Sequence, residues 1–194
     1  MITRSIHPIN PTRALAGTGH QRQNSSLNIG IALYHIPDPA CSPPTKRVAW
    51  ALVVHDGFYT DQRVLMYQLY WSTLGSSSYI RPVFVAVDQV SDPSWDFIGI
   101  AHVGSCKKSL DDITRIVLSV QPLGHYTAPN HTIPPPTAWV LDALHALWRA
   151  GALTLPFLVE NIYDKVHKAS AAHMIYRERT IWPTRVPVLD ISTL

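Results

Sequence analysis

Five apolar runs rich in β-branched and aromatic residues fill the chain from Leu27 to Gly104, and then the apolar period changes. The runs are "LNIGIALYHI" (27–36), "RVAWALVVHDG" (47–57), "RVLMYQLYW" (63–71), "YIRPVFVAVDQV" (79–90) and "WDFIGIAHVG" (95–104). Each has the length and composition of a strand and is bounded by proline, glycine or serine clusters. Pro82, near the start of the fourth run, suits an edge strand, where its missing N–H breaks no ladder. Gly104-Ser105 is expected to end the fifth.

Beyond Cys106 the spacing becomes helical. "SLDDITRIVLSV" (109–120) opens with Ser109 and has Asp112 three residues later, a capping-box-like start with acids in the first turn. Residues 121–136 read as a proline-rich loop. From Thr137, the apolar residues Val140, Leu144, Leu147 and Trp148 recur at helical spacing, and Gly151 is placed to end that helix. Prolines immediately before it suit a helix start, and Thr137 is placed to cap it. "FLVENIYDKVHKASAAHMIY" (157–176) reads as a third helix with Val159, Ile162, Val166 and Ala169 on one face. The tail is extended and interrupted by Pro183 and Pro187. A block of about five strands before a block of about three helices predicts an α+β fold, an antiparallel sheet packed on helices. The 194 residues fit one domain, 27–194, preceded by a polar arm over 1–26.

Composition narrows the function. Charged residues are 15% of the chain, against roughly 25% in an average domain, while hydrophobic residues are 46%. So sparse a charge leaves apolar side chains to line a pocket or an interface, a small apolar organic substrate or a homodimer being the partners implied. The net charge of +3 is scattered, without the basic stripe that reads nucleic acid. No apolar run reaches the roughly 18 residues of a membrane span. Cys41 and Cys106 make no scaffold and no zinc spacing, so a reducing, cytoplasmic setting and no metal are expected.

Individual residues offer limited chemistry. His55 and Asp56 are adjacent on a strand and would point to opposite faces, which makes them a turn feature rather than a dyad. Asp88 reads as exposed near a strand end. His125 and His131 lack a third ligand. His102 and Cys106 are four apart and would share a face if their strand continued, as a thiol nucleophile and its base must. The aromatic set Tyr34, Trp50, Tyr67, Tyr70, Trp71, Trp139 and Trp148 is the strongest pointer to a cleft.

The order of these elements, with Trp50 in "RVAWALVV" and Trp139-Val140 in "PPPTAWVLDALHALWRAG", resembles the circularly permuted papain-like proteins. These are the NlpC-like and lecithin:retinol acyltransferase-like group, in particular its small fungal members. The resemblance equates Ala49 with that family's catalytic His, and Pro135, Pro136 and Thr137 with its Asn-Cys-Gln. It therefore implies that the family's acyl-transfer dyad is lost. The function expected is a cofactor-independent, non-hydrolytic enzyme of secondary metabolism. It would bind an apolar intermediate and promote its cyclisation, pericyclic reactions of Diels–Alder type included, by orientation and hydrogen bonding. Thr137 and His102 are its expected catalytic groups, and Tyr34, Trp50, Tyr70 and Trp139 its expected substrate contacts. Two alternatives are a catalytically dead binding protein and a thiol-dependent hydrolase or acyltransferase using Cys106.

Overall fold

The first strand, β1 (Leu27–Asp38), is hydrogen-bonded along both edges, and the rest of the sheet is laid out from it. A computed structural model describes residues 26–38, 45–55, 63–71, 78–86, 97–121, 126–128, 131–133, 135–177 and 188–191. Residues 1–25, and with them the expected arm, lie outside that set, as do Cys41, Asp56, Asp88 and His125.

Along the chain β1 is followed by β2 (Thr45–His55), β3 (Arg63–Trp71), β4 (Ser78–Ala86) and β5 (Phe97–Cys106). Next come α1 (Leu110–Ser119), the short pair β6 (Tyr126–Ala128) and β7 (His131–Ile133), and α2 (Pro135–Arg149). β8 (Leu153–Thr154), a 3₁₀ turn at Val159–Asn161, α3 (Ile162–Arg177) and β9 (Val188–Asp190) complete the order. Among the described residues the main sheet has seven strands in the order β4-β3-β2-β1-β5-β8, with β9 also on β5. All its pairings are antiparallel except β5 with β9, which is parallel. The fold is thus α+β as expected, with a sheet made mixed by the tail. Pro82 lies on the edge strand β4.

Three boundaries differ from the sequence reading. The stretch 121–136 is not all loop, since β6 and β7 pair as a hairpin within it. The helix α2 starts at Pro135, two residues before Thr137, because proline's fixed φ suits the first helical position. And β5 does not stop at Gly104. It runs through Cys106, because β8 approaches it closely and pairs with Ser105 and Cys106.

Among the described residues the helices serve one face of the sheet. Ile29, Ile31 and Leu33 of β1, with Trp50, Leu52 and Val54 of β2, form one core with Ile113 and Val117 of α1, Val140 and Leu144 of α2, and Ile162 and Val166 of α3. The phenol of Tyr67 meets Thr114 Oγ1 at 2.6 Å, joining β3 to α1. The intervening strand residues Ala32, Tyr34, Ala51, Val53, Val64, Met66, Phe97 and Ile100 form a second core on the opposite face. Among the described residues no helical side chain belongs to it. Alternation along the strands, reset in β5 by two register shifts, produces this two-sided burial.

The helix ends follow local chemistry. Ser109 caps α1, its Oγ accepting from the Asp112 N–H at 3.1 Å. Gly151 ends α2 at φ 63°, and its N–H donates to the Trp148 carbonyl while that of Ala152 donates to Leu147. This is the paired closure that a left-handed residue permits. At Gly104 the constraint is space: a Cβ there would sit 2.2 Å from the Thr154 carbonyl oxygen. Gly104→Ala should therefore push β8 off β5. We expect a loss of about 1–3 kcal/mol, read as a Tm lowered by roughly 2–12 °C in thermal denaturation.

Candidate functional site

Two extra residues in β5, at Ile98 and Val103, reset its alternation against β1, and the second decides which side chains meet at the strand's end. Opposite β1, His102 pairs with Gly30 and Gly104 with Ile29, so Val103 is bulged between them. A bulge shifts the alternation by one, and every side chain beyond it changes face. Cys106 then pairs with Leu27 and joins the helix-side core, while His102 stays with Gly30 on the second face. The four-residue spacing that would have made His102 and Cys106 a dyad does not do so. Cys106 is 1% exposed, and burial pushes its thiol pKa up despite a contact from the Lys108 N–H at 3.3 Å.

The expected site residues fall into two sets. Thr137, Trp139 and Trp50 lie on the helix side. Trp139 is fully buried, and its indole N–H donates to the Val120 carbonyl at 3.3 Å. Trp50 packs on Tyr163 with ring centroids 5.8 Å apart. Thr137 is 2% exposed in the first turn of α2, and its Oγ1 has no hydrogen-bond partner. A helix leaves its cap position and first three residues without intrahelical N–H partners. Here the first three helical residues are Pro135, Pro136 and Thr137, and two of the three carry no N–H to satisfy. With those amides absent, the first turn can lead directly into the core, where Thr137 and Ala138 are buried. Thr137 is therefore not the cap, and it stands in packed core rather than in an open cleft.

His102 and Tyr34 lie on the second face. Tyr34 donates its hydroxyl to Met66 Sδ at 3.4 Å and packs on Phe97 with centroids 5.4 Å apart. Tyr70 occupies a β3 position of the same alternation as Met66, but its side chain lies outside the described residues. The two positions equated with a catalytic dyad are also divided. Ala49 pairs with Tyr34 on the second face, and Pro136, equated with the family's Cys, is in the first turn of α2 on the helix side.

The same bulge assembles a polar group that sequence spacing hides. Asn28 pairs with His55 on one side and Ser105 on the other, about 4.8 Å away in each direction. One step along β1, Gly30 lies between Val53 and His102. Asn28, His55, Ser105 and His102 therefore surround Gly30 on one face. His55 is 4% exposed and the other three polar residues are half-buried. Farther along the face come Ala32 beside Ala51 and Ile100, then Tyr34 beside Ala49 and Phe97. The result is a floor of small residues with a polar end and an aromatic end. His55, read from sequence as a turn feature, is the last residue of β2 and part of this end. Ser105 gives no signal in the sequence, because three residues from His102 is the wrong parity for an unbulged strand. The available signal was Gly104, since a glycine inside a strand often marks a bulge.

Among the described residues no three His, Cys, Asp or Glu side chains converge as metal ligands, and no helix is long and apolar enough to cross a membrane. The chain matches no family model, no curated protein and no solved structure.

Two consequences can be measured. Removing the orphaned hydroxyl in Thr137→Val keeps the side-chain shape and relieves an unmet buried group. It should raise Tm by about 2–8 °C, whereas a fall would show that the hydroxyl has a structural partner. In a Cys41→Ser background, Cys106 should react with Ellman's reagent only after denaturation. Prompt reaction in the native protein would contradict its burial.

Proposed function

We propose that the chain is a cofactor-independent, non-hydrolytic enzyme that binds an apolar, carbonyl-bearing intermediate on the second face of the sheet and promotes its cyclisation. It is read as a dyad-less variant of the permuted papain-like order. The observation that carries the reading is the gathering of His102, Asn28, His55 and Ser105 around Gly30, at one end of a floor made by Ala32, Ala51 and Ala49. Ala32 and Ala51 are 0% and 1% exposed, so a hydrocarbon skeleton would reach these strands by taking the place of the groups that cover them, and the small residues are what it would lie against. Val53, Ile100, Phe97 and Tyr34 supply apolar and aromatic walls. The polar end supplies hydrogen-bond donors to a carbonyl oxygen at the place where a cyclising π-system gains negative charge.

Cyclisation of this kind needs little proton transfer. Its barrier falls mainly because the chain is held in a near-reactive shape, which is worth several kcal/mol. His102 is the group we assign to the carbonyl, with Asn28 beside it and Tyr34 at the aromatic end. The separation of His102 from Cys106, and the raised thiol pKa, give no support to a thiol route.

The test has a binding arm and a reaction arm. The naphthyl ketone prodan should bind with a blue-shifted emission. His102→Leu and Asn28→Leu should each weaken it by about 3–10-fold while the circular dichroism spectrum stays that of the wild type. Incubation with linear polyene ketones should yield isomers of unchanged mass and altered retention, formed at least ~100-fold more slowly by His102→Leu. Products that have gained water, or binding indifferent to both substitutions, would count against the reading.

A further inference from the structure

Four strands carry the polar end across the sheet in a single row. His55 on β2 pairs with Asn28 on β1, Asn28 with Ser105 on β5, and Ser105 with Thr154 on β8. Directly opposed residues share a face, with Cβ atoms about 4.5–5.5 Å apart. Thr154 belongs to the second face because its neighbour Leu153 pairs with Cys106 and lies in the helix-side core. Three strand spacings give the row a length of about 14 Å. We infer that its outer half, Ser105 and Thr154, binds a second oxygen of the ligand, so that the site selects a β-dicarbonyl head over a simple ketone; this rests on the second-face reading given above.

Exposure rises along the row. His55 is 4% exposed, Asn28 and Ser105 are half-buried, and Thr154 is exposed. A ligand oxygen can therefore reach the two outer hydroxyls without disturbing the sealed centre of the face. A hydroxyl both donates and accepts, so each serves a carbonyl or its enol equally well. The Asn28 amide has two N–H donors, so it can meet the first oxygen while keeping a bond made elsewhere. The second oxygen then falls one strand over, at Ser105. In a β-dicarbonyl the two oxygens lie no farther apart than neighbouring strands, about 4.8 Å. Thr154, on the far side of Ser105, closes the row toward solvent. Charges of both signs stand nearby: Lys107 is exposed two residues past Ser105, and Asp190 occupies the register position beside His102. The selection is accordingly assigned to the hydroxyls and the amide.

Hexanoylacetone and methyl heptyl ketone share one nine-carbon chain and differ in the second carbonyl. Partition into an apolar space favours the monoketone, because the extra carbonyl must be dehydrated. The polar row predicts the reverse order. Each compound is used to displace prodan from the full chain at neutral pH. The diketone should act at a concentration at least ~3-fold below that of the monoketone, the worth of one added hydrogen bond. Ser105→Ala, folded as judged by circular dichroism, should bring the two compounds level or reverse them. Thr154→Val, at an exposed position, should shrink the difference and repeats the test if Ser105→Ala does not fold. A monoketone that equals or beats the diketone on the unaltered chain overturns the inference but leaves the second-face site standing. So does a diketone advantage that is unchanged in the folded variants. If neither compound displaces prodan, the site reading itself falls.

Discussion

The bulge at Val103 is the constraint on which the two faces of this protein depend. Before it, β5 contributes Phe97 and Ile100 to the second face and Ile98 and Ala101 to the helix side. After it, Cys106 moves to the helix side and Ser105 to the second face. An even spacing in sequence thus becomes opposite placement, and an odd spacing becomes a shared face. The bulge is held from both edges. β1 fixes the pairing on one side, and on the other β8 lies so close to Gly104 that no other residue fits without movement. The thiol is consequently sealed against the helices, and the histidine stays with the residues around Gly30.

The helix layer solves a different problem. A helix that begins inside a core must dispose of its free amides, because buried N–H groups without partners are expensive. Pro135 and Pro136 do so by removing two of those amides outright. Trp139 then spends its indole N–H on the end of α1, which locks the start of α2 to that helix. A helix start built this way is a poor anion site, with one amide where an ordinary start offers several. The sequence most suggestive of a silenced active site is, physically, a device for burying a helix terminus.

Much of the architecture was legible because it is local. The period change after Cys106, the Ser109 cap, the left-handed Gly151 and the edge position of Pro82 each follow from one residue's chemistry, and each appears as expected. The face of α3 read from Val159, Ile162, Val166 and Ala169 is likewise the buried one. The site was less legible, for two reasons. Aromatic residues look alike in a core and in a cleft, so the sequence does not separate Trp50 and Trp139 from Tyr34, although the sheet does. And a bulge is set by pairing between distant strands, so the parity of His102, Ser105 and Cys106 was hidden from spacing along a single strand. Asn28 carried no signal of its own until β1 placed it between His55 and Ser105.

The most direct test of the second-face site is an NMR titration of the methyl-labelled protein with methyl hexyl ketone. The methyl signals of Val53, Ala32, Ala51 and Ile100 should move with a common saturating dependence on ligand, while those of Ile113, Val117 and Leu144 stay in place. Shifts confined to the helix-side methyls, or none at either face, would contradict the account.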